Sequence, residues 1–241
     1  MYNLLVILML IVMAPSMAFS DSFLLAAGAG YKRPMTDIVK LYEEQKGVKI
    51  DQIYGNMGQV MMQAKAVPRV ALVVGDRHFL EKESGIEFAR FHTLGEGILA
   101  IAYSKKISLT KPEDITKADI IKIALPDEKK AIYGKAGKEF LVNSGIYPKV
   151  ENRLLFVATV PQVSAYLIAG EVEAGLLNLT DVLFIKDKLG GYLIPDKSLY
   201  NPIEIVAGVM KGFDQDKQVK DFMQFMDTNP QVKDILKKYG L

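Results

Sequence analysis

Short apolar runs alternate with amphipathic stretches along most of this 241-residue chain. The run at 70–74 is continuously aliphatic, which is typical of a parallel strand that is covered on both faces. In the stretch 34–45, Met35, Ile38 and Tyr42 share one face of a helix. Strands and helices that alternate in this way predict an α/β protein whose sheets are mostly parallel and are flanked by helices.

The same patterning gives provisional bounds for each element. The predicted strands cover 23–27, 48–54, 70–74, 98–103, 120–125, 154–158, 174–179 and 203–210. The predicted helices cover 34–45, 57–66, 134–144, 161–169, 181–188, 216–226 and 230–238. In an open sheet of this kind, ligands bind beyond the carboxyl ends of the strands.

Composition excludes several classes of function. Lysines and arginines number 30 against 28 acidic residues, so the net charge of +2 predicts neither nucleic-acid nor membrane-surface binding. Cysteine is absent, which excludes disulfides, thiol catalysis and thiolate metal sites. Asp76-Arg77-His78 follows a predicted strand, yet no partner nucleophile is identifiable. We therefore expect no enzyme, no cofactor and no metal-ligand set.

The first twenty residues differ from the rest of the chain. An apolar run without charges at 4–13 precedes Ala18-Phe19-Ser20, whose small residues suit a signal-peptidase site. The alternative is a membrane anchor, but a span needs about 20 apolar residues. We predict a signal peptide at residues 1–20, cleavage after Ser20 and release into the periplasm.

Two glycine-rich points divide the middle of the chain. Gly95 and Gly97 precede the strand at 98–103. Gly190-Gly191 precedes the segment 193–195, where the chain is expected to cross between two lobes a second time. Such a pattern suits a chain that leaves one lobe and later returns to it. Two ordinary surface turns are the alternative.

Four predicted strands lead into small or turn-forming residues that open a helix. Glycine allows backbone N–H groups to approach a ligand closely, and a helix N-terminus supplies unpaired N–H donors and about half a positive charge. Several such termini in one cleft would hold an anion without a salt bridge. Each loop alone is also an ordinary tight turn. The four loops are Ala27-Gly28-Ala29-Gly30-Tyr31, Gly55-Asn56-Met57-Gly58, Tyr133-Gly134 and Thr159-Val160-Pro161.

The basic pair Lys32-Arg33 beside the first glycine loop has two interpretations. Both side chains point into solvent, or they face the cleft and attract anions. The sequence alone leaves this choice open.

Six segments follow one another at the spacing of a known family: Leu25-Ala26-Ala27, Asp37-Ile38, Lys46-Gly47-Val48, Val73-Val74-Gly75-Asp76, Gly170-Glu171-Val172-Glu173-Ala174-Gly175 and Lys237-Lys238-Tyr239-Gly240-Leu241. In these segments the chain resembles the substrate-binding proteins of molybdate ABC importers. The resemblance implies the two-lobed fold of type II periplasmic binding proteins, with the ligand cleft between the lobes. Residues 21–100 and 196–241 then form the first lobe, and residues 101–195 the second.

The resemblance also implies a ligand site. The serines of the family fall on Gly30 and near Met57, and its tyrosine falls on Asn178, so those three hydroxyls are absent here. Backbone N–H contacts survive such changes, and neighbouring polar side chains replace the lost donors. The expected ligand-binding residues are Gly30, Tyr31, Asn56, Met57, Gly75, Tyr133, Thr159, Val160 and Asn178.

The function implied is capture of molybdate or tungstate by a monomer, followed by delivery to the membrane permease of an ABC importer. One alternative is a binding protein for another small anion or an organic acid, with Lys32 or Arg33 in a salt bridge to the ligand. A periplasmic enzyme on the same fold is a further alternative.

Overall fold

The structure is a computed structural model that describes residues 22–241. The predicted signal peptide at residues 1–20 lies outside the described residues. The strands are β1 Leu24–Gly28, β2 Asp51–Gly55, β3 Val70–Asp76, β4 Phe88–Gly97, β5 Leu99–Tyr103, β6 Ile123–Pro126, β7 Leu154–Val157, β8 Ala174–Asn178, β9 Gly191–Leu193 and β10 Ile203–Met210. The helices are α1 Lys32–Lys46, α2 Met57–Ala66, α3 Ile132–Asn143, α4 Tyr147–Val150, α5 Val160–Ala169, α6 Leu179–Ile185, α7 Lys217–Thr228 and α8 Pro230–Lys238.

The strands form two five-stranded sheets, one in each lobe. The first has the order β2-β1-β3-β10-β4, and the second has the order β7-β6-β8-β5-β9. In the first sheet only β10 opposes the other strands, and in the second only β5 does. Both sheets are thus mixed, with four strands in a common direction, as the two-lobed prediction requires.

The chain passes from one sheet to the other at two points. Strand β4 ends at Gly97 and β5 begins at Leu99, while the return runs from the end of β9 to the start of β10. A Cβ atom on Gly97 would lie 2.5 Å from the Ile203 side chain and 2.6 Å from the Tyr133 hydroxyl. No side chain fits there, because the two crossing segments and α3 pack directly against one another. The lobe boundaries near 100 and 195 stay a prediction.

Strands β4 and β9 have no counterpart among the predicted elements. Each lies at the edge of its sheet and pairs with a single neighbour, β10 or β5. The sequence of β4, FARFHTLGEG, mixes charged and aromatic residues and is mostly exposed or half-buried. An edge strand is solvated along one side, so it lacks the continuous apolar run that marks the central strands.

The core consists of central strands covered on both faces. Strands β1 and β6 are buried along their whole lengths. The predicted apolar face of α1 is buried, and its Tyr42 meets Phe222 and Phe225 of α7 edge-on at 5.0 and 5.1 Å between ring centroids. Such aromatic pairs add about 0.5–1.5 kcal/mol each beyond the area they bury. Within residues 22–241, no helix has the length and apolarity that a bilayer span requires.

Candidate functional site

Four loops that open helices meet between the lobes, as the sequence predicted. They line a cavity of about 30 Å³ formed by residues 28–31 and 55–57 of the first lobe and 131–133 and 159–160 of the second. Seven of the nine expected ligand-binding residues are among these: Gly30, Tyr31, Asn56, Met57, Tyr133, Thr159 and Val160. Strands β1 and β2 are parallel in one sheet, and β6 and β7 are parallel in the other, so the loops after each pair lie together at one edge of their sheet and both edges border the cavity.

The first-lobe wall is fixed by a reciprocal cap at the start of α2. The Asn56 side chain accepts from the Gln59 N–H at 3.0 Å, and the Gln59 side chain accepts from the Asn56 N–H at 3.0 Å. This capping box satisfies two of the donors that a helix start leaves free and holds Met57 as the first helical residue.

The second-lobe wall is built from the starts of α3 and α5. The first described hydrogen bonds at the start of α3 come from Gly134 and Lys135, which both donate to the Ala131 carbonyl, so the N–H groups of Ile132 and Tyr133 precede that ladder. Thr159 is the residue that caps α5, and Pro161 follows within its first turn, as the sequence predicted. The Val160 N–H likewise precedes the first bonds of α5, which Gln162 and Val163 donate to Thr159.

Several hydrogen bonds between described residues join the lobes around the cavity. The Met57 N–H donates to the Lys130 carbonyl at 2.8 Å, and the Asn56 amide donates to the Ala158 carbonyl at 3.4 Å. The fully buried Asn178 donates its amide to the Gly30 carbonyl at 3.0 Å. The lobes therefore meet in a closed arrangement, and the Met57 N–H is already used for lobe closure.

A side chain at Gly30 would crowd residues of the other lobe. A Cβ atom there would lie 3.0 Å from the Asn178 amide nitrogen and 3.5 Å from Cβ of Val160. Its φ angle is not positive, so the requirement comes from close approach of the lobes and not from a left-handed backbone.

Tyr31 and Tyr133 meet across the cleft through their hydroxyls, which are 2.7 Å apart. Each side chain is 2% exposed, and the two rings are tilted with centroids 6.4 Å apart. Burial raises the pKa of both phenols, with the neighbouring tyrosine adding to the rise at Tyr31. Both side chains are therefore neutral hydroxyls at physiological pH.

The basic residue beside the first glycine loop is paired with the protein itself. Arg33 at the start of α1 forms a salt bridge with Asp181 of α6, whose side chain is 0% exposed and also accepts from the Ser164 hydroxyl. The Arg33 guanidinium lies 4.2 Å from the centroid of the Phe184 ring and is 29% exposed. Lys32 is exposed, with its ammonium 5.8 Å from the Tyr54 ring. Arg33 therefore joins the two lobes, and its charge is compensated within the protein.

Two expected site residues lie behind the cavity. A Cβ atom on Gly75 would lie 2.7 Å from the end of the Met57 side chain, so Gly75 packs directly against Met57. Asn178 contacts Gly30, and its side-chain oxygen accepts from the Asp181 N–H at 3.3 Å. Both assignments to the ligand stay predictions.

A second cavity of about 270 Å³ adjoins the first and shares Met57, Ala131 and Ile132 with it. Most of its acidic groups already have partners: Glu83 pairs with Lys135 at 2.9 Å, and Glu139 accepts two hydrogen bonds from Asn201 at 2.8 Å. Its other ionisable lining residues are Asp76, His78, Glu128, Lys129 and Lys130.

Sequence reasoning missed three contributors to the site. The start of α3 was predicted at Gly134, two residues late, so the backbone at Ala131 and Ile132 was overlooked. Asp181 was interpreted only as a helix residue, although a carboxylate three residues after a capping asparagine was visible in the sequence. Pairing of Asp181 with Arg33, 148 positions earlier, has no local signal.

Two α/β lobes joined by two crossings, with helix starts facing each other across a cleft, define a two-lobed solute-binding protein. The family described as bacterial extracellular solute-binding protein matches residues 23–241, and the chain belongs to this family. It is a transport protein that binds its substrate and is not an enzyme. Membership of an extracellular family also implies export.

Several known proteins are similar over most of the chain. A molybdate-binding protein ModA of Rhodobacter capsulatus is 24% identical over 230 residues, which cover 92% of this chain and 89% of that protein. A putative ABC transporter substrate-binding lipoprotein, YvgL of Bacillus subtilis, is 23% identical and covers 90% and 84%. The solved periplasmic molybdate-binding protein of Azotobacter vinelandii has a TM-score of 0.80 at 21% identity, covering 91% and 98%. The predicted resemblance and the two-lobed fold are thereby confirmed.

Proposed function

We propose that this protein captures a small oxyanion, molybdate or tungstate in the first place, between its lobes in the periplasm. It then delivers the anion to the membrane permease of an ABC importer. The observation that carries the proposal is the 30 Å³ cavity, on which neutral donors of both lobes converge while the nearby Arg33 is neutralised by Asp181.

Binding in such a site depends on oriented N–H and O–H groups. The starts of α3 and α5 offer N–H groups ahead of the first helical hydrogen bonds, and their dipoles favour negative charge. Sulfate has the same charge as molybdate but is smaller, so a rigid closed cavity distinguishes the two by the length of their bonds to the donors. Names of relatives support the same choice, since two of the three similar proteins above are molybdate-binding proteins.

The mechanism we propose is closure of two lobes about the crossings at 98 and 194–202. Lobe one comprises residues 21–100 and 196–241, and lobe two residues 101–195. Small-angle scattering tests this division, because ligand should reduce the radius of gyration of the monomer. An unchanged radius, together with tight binding, would contradict a hinge.

Export by a cleavable signal peptide is the corresponding proposal for residues 1–20. N-terminal sequencing of protein from the periplasmic fraction should start at Asp21. Retention of Met1 in the membrane fraction would instead indicate an anchored protein.

A thermal-shift series tests the ligand. A ligand at a hundredfold excess over its dissociation constant stabilises the folded state by about 2.7 kcal/mol. For a domain of this size each kcal/mol raises the melting temperature by about 2–4 °C. Molybdate and tungstate should each raise it by several degrees, and sulfate should raise it by much less. Equal shifts with all three anions would contradict selection by size.

An organic anion is the second candidate, and the adjoining 270 Å³ cavity favours it. An oxyanion group would occupy the small cavity while the organic part extends past Met57 and Ile132. Native mass spectrometry of protein purified from a molybdate-supplemented culture separates the two candidates by the mass that remains bound. A carbon-containing ligand would replace the first proposal with the second.

A further inference from the structure

The loop before α2 and the loop before α5 are each held by a glutamine. The Gln59 side-chain oxygen accepts from the Asn56 N–H at 3.0 Å. In the second lobe, the Gln162 side-chain oxygen accepts from the N–H groups of Ala158 and Thr159, at 2.8 and 3.3 Å. Each glutamine is the third residue of its helix, and both loops line the 30 Å³ cavity. Matching hydrogen bonds therefore fix one loop in each lobe.

The two held loops also contact each other. The Asn56 amide donates to the Ala158 carbonyl at 3.4 Å, and the N–H of the same Ala158 donates to Gln162. A shift of either loop would therefore disturb both walls of the cavity. Gln59 and Gln162 are themselves exposed and do not line the cavity. They act on a ligand through the loops that they hold and through the charge that they carry, which is zero.

Glutamine is one of two residue types that suit this position. The side chain that reaches back to a helix start is glutamate or glutamine at the third helical residue. Glutamate would be favoured further by the helix dipole, since negative charge is stabilising near an N-terminus. Outside the cleft, α7 is capped by the carboxylate of Asp216, which accepts from the Val219 N–H at 3.0 Å. The first turns of α2 and α5, in contrast, contain no acidic residue.

We infer that Gln59 and Gln162 are positioning residues of the anion site, and that the site requires them to be uncharged. Each accepts the N–H bonds that hold a loop at the cavity, and each leaves the positive end of its helix available to a bound anion. A carboxylate at either position would compete with the ligand for that helix end. The inference rests on the proposed function, because it assigns both residues to the same site.

The isosteric variants Gln59→Glu and Gln162→Glu, with the double variant, test the requirement for neutrality. Each glutamate keeps the acceptor oxygen, so the melting temperature without ligand should not fall. Titration calorimetry with molybdate at low salt should show about a two- to fivefold loss of affinity for each single variant, the effect of one exposed charge at a helix start. The double variant should show the product of the two losses, since the residues lie in different lobes.

Salt dependence separates an effect of charge from a distortion of the loops. Both glutamines are exposed, so dissolved ions screen a glutamate at either position. The ratio of wild-type to variant affinity should therefore approach one as NaCl rises from about 0.01 M to about 1 M. A loss that stays constant over this range would contradict the requirement for neutrality.

Gln231→Glu is the matched control. Gln231 is exposed in the first turn of α8, and its side-chain oxygen accepts from the Gln45 amide at 2.8 Å. The substitution thus keeps an acceptor and adds the same charge at a helix that borders neither cavity of the cleft. This variant should bind molybdate as the wild type does. An equal loss in Gln231→Glu would show that only net charge matters, which would overturn the inference.

Gln59→Met and Gln162→Met test the hold on the loops, because they remove the acceptor without adding charge. Each should weaken molybdate binding by about two- to tenfold, the effect of one hydrogen bond, and the loss should not depend on salt. Unchanged affinity in either the methionine or the glutamate variants would overturn the inference while the proposed function stands. If the wild-type protein binds no oxyanion, the proposed function itself fails, and the inference fails with it.

Discussion

Two neighbouring cavities in the cleft differ in the number of charged residues that line them. The small cavity at residues 28–31, 55–57, 131–133 and 159–160 is lined by uncharged residues, whereas the larger one contains four carboxylates, three lysines and a histidine. In the larger cavity four carboxylates lie among three lysines, and Glu83 pairs with Lys135 at 2.9 Å, so charges of opposite sign cancel much of each other's field at a ligand. The N–H groups of Ile132, Tyr133 and Val160 precede the first hydrogen bonds of their helices, so no helical carbonyl offsets their effect on an anion. The less charged cavity is thus the better anion site.

Arg33→Ala should have the largest effect, because it leaves the buried carboxylate of Asp181 without a counter-charge. Removal of one partner from a buried pair typically costs about 3–5 kcal/mol. Arg33 is 29% exposed, so the lower end applies, equivalent to a fall of roughly 6–12 °C in melting temperature.

The matched variant Arg33→Ala with Asp181→Asn removes the unpaired charge and keeps an acceptor for Ser164. It should recover most of the lost stability and of the molybdate affinity. If stability returns but binding does not, Arg33 contacts the ligand. The claim that the small cavity binds its anion through uncharged groups would then be wrong.

Gly30→Val comes next in size. Its side chain would press against Asn178 and Val160 only when the lobes are closed. Overpacking of this kind costs about 1–3 kcal/mol, so molybdate should bind about 5–150-fold more weakly in calorimetry. Circular dichroism should be unchanged.

Ala89→Val provides the control for Gly30→Val, because Ala89 is an exposed position of β4 outside the cleft. It should bind molybdate as the wild type does. Normal binding by Gly30→Val would instead exclude the first glycine loop from the site.

Lys129→Ala and Lys130→Ala should have small effects on a tetrahedral oxyanion. Both lysines are exposed and line only the larger cavity, and such side chains contribute about 0.2–1 kcal/mol. The measurable change should be a slower association rate and a weaker dependence on salt, seen by stopped-flow. A tenfold loss of affinity would show that the ligand extends into the larger cavity.

The affinity for molybdate should be nearly constant from about pH 6 to about pH 9. Burial raises the pKa of Tyr31 and Tyr133, so both donors stay protonated throughout and are lost only when pH rises above the ordinary tyrosine range. Burial also raises the pKa of Asp76 in the larger cavity. A ligand there would bind more tightly as pH falls through that raised pKa, since a negative charge disappears. Calorimetry from pH 9 down into the acid range distinguishes the two sites.

Much of the site was accessible to sequence reasoning because local signals mark it. Asn56 and Thr159 open helices after predicted strands, and Gly30 follows β1, so each could be assigned to a loop at the carboxyl end of a strand. Strand β4 was missed because an edge strand lacks the continuous apolar pattern of a central one. The cavity beside the site was also missed, since it depends on how the lobes face each other.

The order of the central strands and the longer helices, the class of fold and the four helix-opening loops were determined by the sequence alone, because hydrophobic periodicity and turn-forming residues act over a few neighbouring positions. Tertiary structure decided what the polar groups of those loops contact. Arg33 reaches Asp181, Tyr31 reaches Tyr133, and the Met57 N–H reaches the Lys130 carbonyl, each across the cleft. These pairs are 73 to 148 positions apart, a separation at which composition and periodicity carry no information about contact. Only the packing of one lobe against the other sets which donors remain for a ligand.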